Sequence, residues 1–261
     1  MSRKISRRRF IAAAARATGM AALAMPVIAK DLYAPGRVAA NDRITIGCIG
    51  LGGMGMGNMS VLLGIPQTRV LATCDVYEPH RERAKNRVDD TYGNQDCKTY
   101  NDFRELLDRD DIHAVLIATP DHWHTRIAIS ACEAGKDIYC QKPLTLTISE
   151  GKALVKAVRK YGRVFQVGSQ QRSESNFRFA CELVRSGRIG KVHTVKVFLP
   201  NGSDGPWEPD SDPPEGLDWD LYLGPAPKVP YNRRRFLWDF RWFFDYSGGQ
   251  MTDWGAHHFD I

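Results

Sequence analysis

Residues Arg43-Ile44-Thr45-Ile46-Gly47-Cys48-Ile49 run directly into Gly50-Leu51-Gly52-Gly53-Met54-Gly55. A short apolar run of this kind reads as a buried strand, here ended by a glycine-rich turn. Gly50, Gly52 and Gly55 have the spacing G-x-G-x-x-G. The first glycine permits a tight turn, the second lets backbone approach a phosphate, and the third lets the next helix pack on the strand. Backbone N–H groups at the start of that helix, around Gly53 and Met54, then face an anion. Glycine-rich loops are common, so the turn needs support from the rest of the chain.

The support comes from a rhythm of alternating elements. Apolar runs at Arg69–Asp75, Ala114–Ala118, Asp137–Cys140 and Val164–Gly168 are strand-length, with a brief further candidate at Lys98–Tyr100. Between them, helical segments begin near Glu78-Pro79 and Asp102, and others cover 124–134, stopped by Gly135, and 149–161, stopped by Gly162. Strands alternating with helices predict a parallel, doubly wound sheet with right-handed crossovers. In such sheets ligands sit beyond the carboxyl ends of the strands, which makes the turn a dinucleotide site.

Strand ends therefore carry the candidate groups. Asp75 closes the second strand, 20 residues beyond Gly55. A carboxylate there accepts hydrogen bonds from both ribose hydroxyls and repels a 2′-phosphate, favouring NAD over NADP. The alternative is a strand-end aspartate that caps the helix at Glu78-Pro79. Thr119-Pro120, with Asp121-His122-Trp123-His124 behind it, should border the cofactor, unless Asp121 is only a cap and Trp123 only packing. The two histidines lack a third ligand nearby, so no metal is expected. Lys142 follows Gln141 at the next strand end. An ammonium beside the reacting carbon can polarise a substrate oxygen and stabilise alkoxide charge.

The formal charge of +6 suggests an acidic partner until it is located. Residues 1–29 hold Arg3, Lys4, Arg7, Arg8, Arg9 and Arg16 with no acid, so the remainder is neutral and nucleic acid is not expected. Ser6-Arg7-Arg8-Arg9-Phe10-Ile11 resembles a twin-arginine export motif, with cleavage plausible after Ala29. Arg16 and the length of the apolar run argue against a membrane anchor. Export through that machinery, which carries folded proteins, implies a periplasmic location. Export permits disulfides, but the six cysteines lack C-x-x-C spacing, and Cys48, Cys74 and Cys140 fall on predicted strands or their ends, as buried free thiols do.

After a linker at 30–42 and the dinucleotide domain at 43–168, the pattern changes. Phe177–Ser186 reads as a helix, and Val192–Leu199 alternates with period two, as a half-exposed strand does. Aromatic-rich stretches follow at 218–227 and 236–246, suited to core packing or to stacking on sugar rings. In the last segment, Gly248 to Asp260, Asp253 and His257 stand one helical turn apart. A carboxylate so placed can orient the imidazole and raise its basicity, as removal of a hydroxyl proton during hydride transfer requires.

The glycine turn, Asp75, Ala118-Thr119-Pro120 with His124, Lys142-Pro143 and the segment from Gly248 to Asp260 together resemble the Gfo/Idh/MocA oxidoreductases. The resemblance covers roughly residues 43–261. It implies an α/β Rossmann-type domain followed by an α+β open-sheet domain over 169–261, often oligomeric through that sheet. It implies NAD(P)-dependent hydride transfer on a sugar or polyol, with Lys142, Asp253 and His257 as the catalytic Lys, Asp and His. His257 would be the base, and Lys142 would hold the reacting hydroxyl. Some exported relatives instead oxidise a sugar transiently to eliminate a glycosidic bond; a nucleotide-binding remnant without activity is a further alternative. Two features depart from the pattern. Gln141 replaces glutamate in Glu-Lys-Pro, keeping a hydrogen bond to a ribose but not a charge. The chain ends at Ile261, inside the helix of the base, so the second domain looks truncated.

Overall fold

Every apolar run expected to be a strand between residues 43 and 168 joins one parallel sheet in the computed structural model, which describes residues 40–199, 202 and 207–261. The export motif and most of the linker lie outside the described residues. Residues 44–261 form one unit. Its strands are β1 (Ile44–Ile49), β2 (Thr68–Cys74), β3 (Lys98–Tyr100), β4 (Ala114–Ile117), β5 (Asp137–Gln141) and β6 (Phe165–Gly168). Their order, β3-β2-β1-β4-β5-β6, reverses direction between β1 and β4. A crevice opens at such a switch point, beyond the strand ends.

The helices between strands are α1 (Gly53–Leu63), α2 (Glu78–Tyr92), α3 (Phe103–Leu107), α4 (Asp121–Glu133) and α5 (Ile148–Tyr161). Alternate residues of a strand face opposite sides. Ile46, Cys48 and Val70 thus meet Met59, Ala84 and Val88 of α1 and α2. Ile49 and Ile117 face the other way, towards Leu106, Ile127 and Leu154 of α3, α4 and α5. A sheet covered on both faces explains why the strands read as continuous apolar runs. Five of the six cysteines are buried and all six are free. Burial pushes the Cys97 thiol up to about 11 and those of Cys48 and Cys140 higher still.

The fourth helix begins earlier than residue 124. Pro120 takes the N-cap position, so Asp121 is the first helical residue and not the cap. The second half differs more. Helix α6 (Ser175–Arg185) forms as expected, but Val192–Leu199 pairs with no strand among the described residues. Its apolar side chains are exposed, Phe198 by 86%. Alternation describes a side chain's direction, but a strand needs a neighbour to bond, and no open sheet is present among the described residues.

Instead, α7 (Trp219–Leu223) and two 3-10 turns gather around Tyr222, Tyr231, Phe236 and Tyr246, and α8 (Gln250–His258) packs against the second of those turns, Asp239–Trp242. This aromatic layer docks on the sheet domain through polar contacts. Asp218 N donates to Val76 O at 2.9 Å, and Asn101 Nδ2 donates to Asp218 Oδ2 at 2.9 Å. His122 Nε2 and Trp123 Nε1 both reach the carbonyl of Tyr222, at 3.1 and 2.9 Å. Burial of that imidazole pushes it down to about 4.

Candidate active site

The three glycines of the turn do different work. Gly50 has φ +81°, and its N–H donates to Cys74 O at 2.9 Å. A Cβ on Gly55 would lie 1.9 Å from Gly50 O, so only glycine lets α1 start this close to β1. Gly52 and Gly53 are not crowded: the nearest atom to a Cβ on Gly52 is 3.9 Å away, and nothing lies within 4 Å of one on Gly53. They face a cavity of about 640 Å³, also lined by Met54. The first intrahelical donor here is Met56, bonded to Gly52 O at 3.0 Å, so the preceding N–H groups lack helical partners. That makes an anion cradle.

Asp75 borders the same cavity with His80 and Arg83. Its Oδ2 accepts from Leu51 N at 2.6 Å and its Oδ1 from Tyr77 N at 2.9 Å. The carboxylate ties the glycine turn to the end of β2 and keeps further acceptor capacity towards the cavity. It does not cap α2, whose N-cap is Tyr77.

Thr119, Pro120, Gln141 and Lys142 line the cavity further along. Gln141 is 3% exposed, and neither its amide nitrogen nor its amide oxygen has a partner; Thr119 Oγ1 is also without one. Buried polar groups are seldom left so. An open backbone cradle at one end and an orphaned amide midway fit a dinucleotide with its phosphates at Gly52–Met54 and a ribose near Gln141.

His124, expected at the cofactor, does not line the cavity. Its ring is buried, with Nδ1 2.7 Å from Pro143 O and Nε2 2.8 Å from Thr119 O. Each nitrogen faces a carbonyl, and the ring braces the ends of β4 and β5 from behind. His122 likewise faces a carbonyl, so the two histidines are structural pins.

Lys142, Asp253 and Arg241 line the far end of the cavity; His257, one turn further along α8, is buried and does not line it. The Lys142 ammonium pairs with Asp253 Oδ1 and donates to Asp253 O at 3.3 Å. Its side chain is 10% exposed, unlike a surface lysine. Arg241 Nε donates to Asp253 Oδ2 at 3.0 Å. Burial pushes the Asp253 carboxyl up, but the two cations outweigh it and hold it below the usual range. Sequence spacing predicts Asp253 orienting His257 and raising its basicity. Instead both Asp253 oxygens go to cations, and His257 Nδ1 has no partner. Burial, then the Lys142 charge, pushes His257 below the usual histidine range.

Arg241 escapes a reading of the sequence, because nothing in Phe240-Arg241-Trp242 relates it to a lysine 99 residues earlier. Asp121, expected near the cofactor or as a cap, lines the cavity at 5% exposure, and burial raises its carboxyl.

Two models of one family match this chain. The Gfo/Idh/MocA oxidoreductase family, NAD-binding Rossmann fold, matches residues 44–169, and the family's C-terminal alpha/beta domain matches residues 206–261. The chain belongs to that family. Among its relatives is an uncharacterized oxidoreductase, YrbE, of Bacillus subtilis. It is 32% identical over 219 residues, covering 84% of this chain and 52% of the relative. A glycosyl hydrolase family 109 protein of Saccharopolyspora erythraea is 32% identical over 158 residues, covering 59% of this chain and 34% of the relative. The crystal structure of scyllo-inositol dehydrogenase from Lactobacillus casei, with bound NAD(H) and scyllo-inositol, aligns with a TM-score of 0.50. It is 27% identical, with 57% of this chain and 42% of that one covered. The chain thus spans about half the length of the first relative and less of the other two.

Proposed function

We propose that this chain carries the cofactor half and the catalytic groups of an NAD-dependent dehydrogenase acting on a ring hydroxyl of a sugar or cyclic polyol. One observation supports it most: a single cavity joins the glycine cradle to the Lys142–Asp253 pair. NAD, when bound, would take up the hydride from the substrate carbon. The protein's share is proton and charge management. Lys142 donates a hydrogen bond to the reacting oxygen and stabilises the charge that grows there. Asp253 holds that ammonium in place, and neutral His257 receives the hydroxyl proton. Asp75 accepts from the adenosine ribose, and its charge disfavours NADP.

A panel of sugars and inositols scored by NADH absorbance tests the reading. Lys142→Ala and His257→Ala should each lose at least about a hundredfold in kcat/KM, as removal of an acid–base or electrostatic group does. Full turnover in either would end the assignment. The glycosyl hydrolase relative favours a second reading, transient oxidation during glycoside cleavage. Release of an aglycone without net NADH would select it. The protein is further proposed to be exported through the twin-arginine route and to form a homo-oligomer. Mass spectrometry of the periplasmic N-terminus, expected after Ala29, and light scattering check these two.

A further inference from the structure

Arg241 lies in the aromatic half of the chain, twelve residues before Asp253. Its guanidinium sits 4.1 Å from the ring centre of Trp238 and 4.8 Å from that of Phe240. Its Nη1 donates to Trp238 O at 3.0 Å. Aromatic and carbonyl contacts thus fix the plane of the fork before it meets a carboxylate. It then meets Oδ2 of Asp253, the oxygen that Lys142 leaves open. A carboxylate one helical turn from a buried histidine is placed to pair with it. Here the carboxylate is drawn the other way, and the Nδ1 of His257 is left without a partner.

We propose that Arg241 is a positioning residue: by holding one oxygen of Asp253 while Lys142 holds the other, it keeps this carboxylate off His257, so the imidazole stays neutral and able to accept a proton. Burial and the charges of Lys142 and His258 also favour the neutral ring, whereas Asp253 and Glu174, at the start of α6, favour imidazolium; restraint of Asp253 is the part that falls to Arg241. Arg172 and Asp260 pair with each other at 2.7 Å. Removing the Arg241 charge would expose His257 to a freer carboxylate and favour imidazolium. At working pH the base would then be partly protonated and lost to the reaction.

The inference rests on the dehydrogenase reading for its chemistry, so one arm of the test needs no turnover. In the full chain with ¹³C-labelled histidine, the His257 Cε1–H signal, assigned with His257→Gln, is titrated by NMR. Arg241→Gln should raise its midpoint by about half a pH unit or more, the scale of one nearby charge in a partly solvated site. Arg241→Lys should bring it back towards wild type. With a substrate in hand, the acid limb of the kcat/KM profile should move upward alongside, at little change in KM. An unmoved midpoint in folded Arg241→Gln overturns the inference even if the enzyme turns over. A moved midpoint without turnover on any sugar leaves it standing and removes the dehydrogenase reading. If Arg241→Gln does not fold, the unmodified protein decides. Its Arg241 Nε–H resonance must shift as His257 titrates, because coupling is reciprocal; a silent resonance ends the proposal.

Discussion

A missing side chain can be as specific a device as a present one, and Gly55 is the clearest case. Any Cβ there would sit 1.9 Å from a backbone oxygen that cannot yield without moving β1. Gly55→Ala should therefore cost about 2 kcal/mol or more, the scale of overpacking at a rigid contact, and weaken NADH binding in a fluorescence titration. Gly53→Ala is the control, since a Cβ there meets nothing within 4 Å. It should leave the denaturation midpoint unchanged or slightly raised. His122 belongs to the same scale. Burial pushes its imidazole from 6.5 down to about 4. Below pH 6.5 the unfolded chain binds a proton that the folded chain refuses until about pH 4, so stability falls as pH drops through that window. The full effect is about 3 kcal/mol. A urea series should show a flatter pH dependence over this window in His122→Gln, and an identical slope would contradict the assignment.

At the scale of elements, local rules and long-range rules separate. Helix α5 is specified locally. Thr147 Oγ1 accepts from Glu150 N at 3.2 Å, and Glu150 Oε2 accepts from Thr147 N at 2.9 Å, a reciprocal cap. Thr147→Ala should cost about 1 kcal/mol in thermal denaturation without touching cofactor affinity. Such signals lie within four residues of each other, and for that reason the helices and strands up to Gly168 are legible in the sequence. Val192–Leu199 shows the opposite. Its alternation is as regular as any strand's, yet pairing depends on a partner that no local pattern supplies. Helix α4 is an intermediate case, starting three residues early because Pro120 suits the N-cap backbone and Asp121 can follow it into the first turn.

For the molecule as a whole, the cavity couples the two halves of the chain. Cofactor that binds only the folded state should stabilise it by about 2.7 kcal/mol at a concentration a hundred times its dissociation constant. A thermal shift with NAD that persists undiminished in Asp75→Ala would remove Asp75 from the ribose. The sequence by itself determined the Rossmann half, the glycine turn, Asp75 at its strand end and Lys142 beyond the end of β5, lining the same cavity. Those follow from short-range geometry and from a rule of topology that places ligands beyond strand ends. Only the tertiary structure decided what the polar groups do once there. It turned His124 into a brace, withdrew Asp253 from His257 and brought in Arg241. The reason is physical: a carboxylate has two oxygens and takes whatever cations the fold delivers. Those cations come from Lys142 and Arg241, 111 and 12 residues away, on elements whose meeting no spacing in the chain encodes.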